Sequence, residues 1–389
     1  MPASKIHVLH VITRLVVGGA QENTLLTAAR LDPARYEVTL ASGPTTGPEG
    51  SLEDRVSSLR AFERIPELVR SPHPMLDPAA LGRLYALMRR HRYHIVHTHT
   101  TKAGILGRIA ARLARIPIIL HTPHGHAFHD YLNQAGSEVL RRLERWLAGH
   151  TDQIICLTEA ERDEHLRLGI GPPERFAIIH SGVDIERFRS ARPDVEAKRR
   201  ELHLPPIGPL VGCVARLATV KGVQHLLDAV PRICAAVPNA TVVCVGDGPL
   251  RPELERHARV LGVERSVVFP GVRRDVDEIM PLFDVVVLPS LNEGMGKAAI
   301  EAMAAGRLVI GSRVSGLQDV IVDGQTGFLV PPAEPEELAA TVIRCLTDMP
   351  LTRAMGIRGQ RLVDRYSIEV MIEKIERLYA RWLTAKEIQ

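Results

Sequence analysis

Short apolar, β-branched runs alternate with longer amphipathic stretches along this chain. The runs at 6–12, 36–41, 94–99, 117–122, 152–157 and 176–180 predict strands of a buried parallel sheet. Between them, apolar positions at helical spacing predict helices over 20–31, 51–60, 78–92 and 103–115, and one more ending near 147. Strand and helix in turn argue for parallel sheets covered by helices, an α/β class. The Gly-, Pro- and Thr-rich 43–50 and the polar 123–134 read as loops.

The pattern breaks once and then restarts. Residues 189–207 hold Arg192-Pro193, a charged helix over 196–201, and the run Pro205-Pro206-Ile207-Gly208-Pro209. Beyond them strands are predicted at 210–214, 241–245, 266–269, 284–288, 308–311 and 328–330. Helices fall at 223–236, 250–261, 297–305, 334–347 and 351–366. A last amphipathic helix, 367–385, is long enough to pack across both halves. At 389 residues the chain exceeds one ordinary core. We place a first domain over 1–190, rejoined by 368–389, and a second over 191–367.

One stretch organises the second half: Ser290-Leu291-Asn292-Glu293-Gly294-Met295-Gly296-Lys297, then Ala298 to Glu301 inside a helix. A buried strand precedes it, so the glycines sit where a strand turns into a helix N-terminus. There unpaired N–H groups and a partial positive charge suit an oxygen-rich ligand. Glu293 and Glu301 bracket the turn, and carboxylates accept paired hydrogen bonds from sugar or ribose hydroxyls. A second constellation, Arg216 to Lys221, puts a planar fork and a point charge at the end of another strand, a pair suited to a diphosphate. In open α/β sheets ligands gather at the carboxyl ends of strands, so the two sets should share a crevice.

Three look-alikes are set aside. Asp275-Val276-Asp277 spells the DxD of metal-dependent transferases, but its place at a helix start predicts capping. His121, His124, His126 and His129 have no Cys or carboxylate to complete a zinc set. Gly246-Asp247-Gly248 begins a dinucleotide fingerprint, yet Arg251 stands where its third glycine belongs.

Composition narrows the class further. No apolar run is long enough to span a bilayer, and the first strand pattern starts too early to leave room for a signal peptide. The five cysteines have no CxxC spacing, so free thiols in a reducing cytosol are expected. Residues 1–190 hold 24 Lys and Arg against 20 Asp and Glu, and 14 of the 17 histidines. That excess is too slight for nucleic acid but suits an anionic acceptor or membrane surface. Helix 78–92, with Arg83, Arg89, Arg90 and Arg92, and the neighbouring Arg141, Arg142 and Arg145 are the candidate basic surface.

The Arg216–Lys221 and Glu293–Glu301 pairs resemble the donor-binding signature of the family 4 retaining glycosyltransferases. So do Gly246 to Arg251, Glu301-Ala302-Met303-Ala304-Ala305-Gly306 and Asp323 to Pro332. In the first half, Gly18-Gly19, His97 to Gly104 and His121-Thr122-Pro123-His124-Gly125 are similar too. The motifs keep the family's order from about residue 5 to 385. The resemblance implies the GT-B fold: two Rossmann-like domains facing across a cleft, with the C-terminal helix crossing back to the first. It implies a nucleoside diphosphate sugar donor, UDP expected, and transfer of a hexose or N-acetylhexosamine to a sugar or lipid-linked acceptor.

By the same analogy Glu301 would hold the ribose and Glu293 the sugar hydroxyls. Arg216 and Lys221 would neutralise the leaving diphosphate, and the backbone of Gly18, Gly19, Gly294, Met295 and Gly296 would complete the cradle. His124 aligns with the family's active-site histidine, and His99 and His126 are acceptor-side candidates. Lys297 stands where the family varies and adds a cation beside the donor sugar. The resemblance implies no metal and no cofactor beyond the sugar donor. The expected location is cytoplasmic, at the inner membrane face if it binds anionic lipid. Rival readings are a GT-B nucleotide-sugar epimerase, for which the first half offers no carboxylate pair, and a non-catalytic nucleotide-sugar binder.

Overall fold

Valine, isoleucine and leucine dominate the strands, and every ladder between them is parallel. The computed structural model describes residues 5–45, 50–125 and 134–388. They divide into two units, 1–182 with 369–389, and 183–368.

The first unit's strands are β1 (Ile6–Ile12), β2 (Tyr36–Ser42), β3 (Ala61–Arg64), β4 (Ile95–His99), β5 (Ile118–Thr122), β6 (Gln153–Cys156) and β7 (Phe176–Ile178). They lie in the order β3-β2-β1-β4-β5-β6-β7. Its helices are α1 (Gly19–Arg30), α2 (Leu76–His91), α3 (Thr101–Ala114), α4 (Gln134–Ala148) and α5 (Glu159–Arg167). The stretch expected as a helix over 51–60 is instead a 3-10 turn, Glu53–Ser58, followed by edge strand β3.

The second unit begins with α6 (Ile185–Ser190) and α7 (Val195–Glu201). Its strands are β8 (Leu210–Val214), β9 (Thr241–Val245), β10 (Val267–Gly271), β11 (Val285–Leu288), β12 (Leu308–Ser312) and β13 (Gly327–Val330), in the order β10-β9-β8-β11-β12-β13. Its other helices are α8 (Val223–Ala236), α9 (Arg251–Val260), α10 (Val276–Ile279), α11 (Lys297–Ala304), α12 (Ser315–Val320), α13 (Pro335–Thr347) and α14 (Met349–Leu362). Val211, Cys213, Val242, Val285 and Ile310 form its core with Leu226 and Val230 of α8 and Leu338 and Val342 of α13.

The division falls at Gly182 and Val183, ahead of the Pro-rich boundary at 189–207. Val183 bridges to Ser367, Arg187 bonds Asp277, and Arg189 bonds Asp364, so 183–207 belongs to the second unit. The terminal helix α15 (Ile368–Ala385) packs in the first. Its Glu376 accepts the Asp32 N–H at 2.8 Å, and its Trp382 ring N–H bonds the buried Gln153.

In each sheet the chain order reverses once, between β1 and β4 in the first unit and between β8 and β11 in the second. The carboxyl ends of those central strands are where an open α/β sheet holds ligands.

Candidate active site

At the second unit's switch point, the turn after β8 carries Arg216 and Lys221, and the turn after β11 carries Glu293. Lys221 Nζ donates to Glu293 Oε2 at 2.5 Å, and Ser290 Oγ donates to the same oxygen at 3.1 Å. The Glu293 carbonyl accepts from Gly316 N–H at 3.1 Å, so backbone and carboxylate are both pinned. Arg216 is exposed on the same turn as Lys221.

Gly296 has φ 71° at the N-cap of α11, and a Cβ there would lie 2.5 Å from a methyl of Leu317. The positive φ favours glycine at that turn. Gly294 is exposed, Met295 is buried, and Lys297 opens α11 partly buried. Glu301, one turn further on, is near enough to Arg187 to help raise its pKa, although the Asp277 hydrogen bond is the larger cause.

Gly246 explains itself structurally. Its φ is 133°, and a Cβ would meet the Ala215 carbonyl at 2.0 Å. The Gly-Asp-Gly turn thus lies directly against the Arg216 turn, and Leu217 N–H bonds the Asp247 carbonyl at 3.0 Å. The capping expected of Asp275 is corrected by the structure. Its side chain makes no cap hydrogen bond at α10 and instead takes Lys198 at 2.8 Å and Arg273 at 2.6 Å. Those two cations, Arg273 foremost, hold its carboxyl below the ordinary carboxylate range.

The first unit's switch point is built differently. Parallel register places His10 beside His97, and His99 beside Thr122, so these four side chains share one sheet face. That face is covered by α15, whose Tyr379 hydroxyl is 2.8 Å from His97 Nδ1. His121 and Thr98 point to the opposite face, toward α3, and bond each other at 3.0 Å. Burial lowers His10 to about 3 and holds His97, His99 and His121 well below the ordinary imidazole range. All four are uncharged at neutral pH.

His124 follows β5 and is half-buried, with φ 61°. Thr100, after β4, has φ 63°. Both are in the left-handed region that non-glycine residues enter only when held there. His124 is held from two sides. Its Nε2 is 3.0 Å from His99 Nδ1, and the next N–H, Gly125, donates to Glu161 Oε1 at 2.8 Å. Glu161 also takes the Leu157 N–H at 2.6 Å, while Thr158 at the N-cap of α5 accepts the Glu161 N–H.

His99, expected on the acceptor side, is 1% exposed and touches His124 and His10 instead. His126 and His129 lie outside the described residues. Gly18 is the N-cap of α1 and Gly19 its first residue.

His10, His97 and His99 also bring ring nitrogens within 4.8 Å of one another, a grouping that could hold a metal ion. Nitrogens of all three rings, however, already take part in hydrogen bonds to each other, to Tyr379 or to Thr122.

The expected basic surface is partly neutralised. Arg83 pairs with Glu67, and Arg141 and Arg142 with Glu138. Arg89, Arg90 and Arg92 are exposed. So are Val139 and Trp146 of α4, seven residues apart and hence on one helix face.

Two family models match the chain: Glycosyltransferase Family 4 over residues 17–187 and Glycosyl transferases group 1 over residues 208–348. The chain is 31% identical over 382 residues to the Escherichia coli UDP-Gal:alpha-D-GlcNAc-diphosphoundecaprenol alpha-1,3-galactosyltransferase, covering 97% of each. It is 29% identical to the D-inositol 3-phosphate glycosyltransferase of Corynebacterium glutamicum, over 93% of this chain and 91% of that one. Among solved structures, Anabaena Alr3699/HepE, crystallised with UDP and glucose, superposes with a TM-score of 0.82 at 23% identity, over 97% of this chain and all of that one. The architecture of two parallel-sheet α/β units is that of the GT-B fold.

Proposed function

The chain belongs to glycosyltransferase family 4, and on that premise we propose that it moves a hexose or N-acetylhexosamine from UDP to a lipid-linked sugar or polysaccharide precursor. The observation that carries this reading is the Lys221–Glu293 pair beside exposed Arg216 at the second unit's switch point. Cations for a diphosphate and a carboxylate for sugar hydroxyls stand there in one turn's reach. The choice of UDP and of a lipid-linked acceptor is supported by the name of the E. coli relative.

In this reading Arg216 and Lys221 offset the charge that gathers on the diphosphate as it leaves. Glu293, already oriented by Lys221 and Ser290, accepts from the sugar hydroxyls. Glu301 takes the ribose hydroxyls, and the backbone of Gly294, Met295 and Gly296 lines the donor. Gly18 and Gly19 add N–H groups at the start of α1, and His124 is the first unit's active-site residue.

Transfer proceeds with retention. The acceptor oxygen bonds to the anomeric carbon on the face the diphosphate leaves, and the acceptor proton passes to the departing phosphate oxygen. No carboxylate base and no metal is required. An acceptor on a lipid would be met at a membrane surface by the exposed arginines of α2 and the Val139–Trp146 face of α4. No helix of the described residues is long and apolar enough to cross a membrane.

Incubation with UDP-galactose, UDP-glucose or UDP-N-acetylglucosamine and a polyprenyl-diphosphate N-acetylglucosamine acceptor tests the reading. Formation of an α-linked disaccharide lipid is the expected result. A β-linked product would overturn retention. Conversion of the donor sugar with no transfer to the acceptor would overturn transfer itself.

A further inference from the structure

Four imidazoles and one phenol form a continuous hydrogen-bonded line inside the first unit. Thr122 Oγ1 is 2.8 Å from His97 Nε2, and His97 Nδ1 is 2.8 Å from the Tyr379 hydroxyl. That hydroxyl is 3.4 Å from His10 Nε2, and His10 Nδ1 is 2.9 Å from His99 Nε2. The line reaches His124 where His99 Nδ1 meets its Nε2 at 3.0 Å. Along it His10, Tyr379, His97 and His99 are buried.

An uncharged imidazole has one N–H and one lone-pair nitrogen, so each ring must donate on one side and accept on the other. The line therefore has a polarity. Among His10, His99 and His124, either every ring carries its hydrogen on Nδ1 and the donors point toward His124, or every ring carries it on Nε2 and they point toward Tyr379. A mixed order among His10, His99 and His124 would set two N–H groups, or two lone pairs, face to face. Such a conflict in a buried site leaves a polar group unsatisfied.

Tyr379 chooses between the two. A phenol is a good donor, and its short contact is to His97 Nδ1 rather than to His10 Nε2. Its hydrogen goes to His97, and its oxygen is left to accept from His10 Nε2–H.

We propose that Tyr379, His10 and His99 are positioning residues that hold His124 as its Nε2–H tautomer, with Nδ1 as its accepting nitrogen. The proposal rests on the reading of His124 as the first unit's active-site residue. In this polarity His124 can take a hydrogen bond or a proton at Nδ1 while its Nε2–H stays on His99. In the opposite polarity Nδ1 already bears hydrogen, and Nε2 is occupied by the His99 N–H. The line thus decides whether this histidine can accept.

Histidine-labelled NMR of the full chain at neutral pH tests this directly, because ring-nitrogen shifts report which nitrogen carries hydrogen. His10, His99 and His124 should all be Nε2–H. Tyr379→Phe should bring in the Nδ1–H form at His10 and His124, and lower kcat about tenfold with the donor KM changed less than about twofold. Tyr36→Phe is the control. It removes a hydroxyl from a ring packed 5.9 Å from Tyr379 and outside the line, and it should leave the three tautomers as they are.

Unlike tautomers among the three histidines of the unaltered chain would overturn the proposal without any variant. So would a Tyr379→Phe spectrum unchanged at His10 and His124. Zinc that binds and shifts His10, His97 and His99 together would replace the line by a metal site. His124→Ala separates the two readings. Undiminished transfer there removes the active-site role of His124, while the tautomer pattern still reports on the line.

Discussion

The two switch points of this protein occupy the same place in two similar sheets and are made of opposite materials. In the second unit Arg216, Lys221 and Glu293 carry full charges at or near the surface. In the first, His10, His97, His99 and Tyr379 are buried and uncharged, and only His124 reaches partial exposure. One site works by charge that solvent and ligand can reach. The other works by hydrogen-bond direction, which survives only where water is kept out. The histidine-rich first half is therefore less cationic than its composition suggests, because its central imidazoles resist protonation.

That contrast should be plainest in acid. His10, lowered by burial to about 3, and His97, His99 and His121, held by burial well below the ordinary range, are neutral when folded but protonate near the ordinary value once unfolded. The unfolded state then binds more protons, so their contribution is complete above about pH 6.5 and shrinks as pH falls below it. Hydrogen exchange between neutral pH and about pH 5 should show β1, β4 and β5 losing protection before β8 and β11. Equal loss in the two sheets would erase the distinction.

Charge at the second site is probed by Lys221→Ala and Arg216→Ala. Each should lower kcat about 10²-fold or more through lost stabilisation of the leaving diphosphate. Near-normal turnover in both would remove the donor site from this turn.

The polar first site should respond to Glu161→Gln, which keeps the shape but weakens the grip on Gly125 and Leu157. A stability loss of about 1–3 kcal/mol is expected by thermal melting. With it should come a fall in kcat of about tenfold, as the strained His124 turn relaxes. A variant that melts lower and turns over normally would show that Glu161 serves the fold alone.

Smaller still is attraction to anionic vesicles. Arg89, Arg90 and Arg92 contribute at most about 1 kcal/mol each, so flotation should be weak and lost above moderate salt. Recovery with neutral vesicles equal to that with anionic ones would exclude a charge-driven contact. Chelation should do least: EDTA should leave turnover unchanged if Arg216 and Lys221 hold the diphosphate. Loss restored by Mn²⁺ would return Asp275 and Asp277, or the buried histidines, to consideration.

Much of this was legible in the sequence. Unbroken β-branched runs such as 284–288 mark strands buried on both faces, and the Gly294 and Gly296 turn marks the site after one of them. The Arg216 and Glu293 turns were paired by the rule that ligands gather at strand carboxyl ends, and the second sheet sets them after adjacent strands, β8 and β11. Edge strand β3 was missed because Ala61-Phe62-Glu63-Arg64 is short and half polar, and one exposed edge does not demand apolar residues.

The buried line was out of reach for another reason. His10, His97, His99 and Tyr379 meet only through strand register and the return of α15, which no local pattern encodes. Glu161 did leave a trace. Thr158-Glu159-Ala160-Glu161 has the spacing of a capping box, in which the third residue after the cap reaches back to backbone N–H groups.

The return of α15 also sets an order of assembly. Ribosomes deliver the seven strands of the first unit before the second unit, but the helix that covers the His10 and His97 face emerges only after it. Until then that polar, histidine-lined face lacks its Tyr379 partner, and the first unit cannot settle into its final form before the second has been synthesised. The second unit, 183–368, is contiguous and can complete itself first, against the usual N-to-C sequence of domain folding. A chain terminated before α15 should keep the later unit intact and present the earlier one to chaperones and proteases.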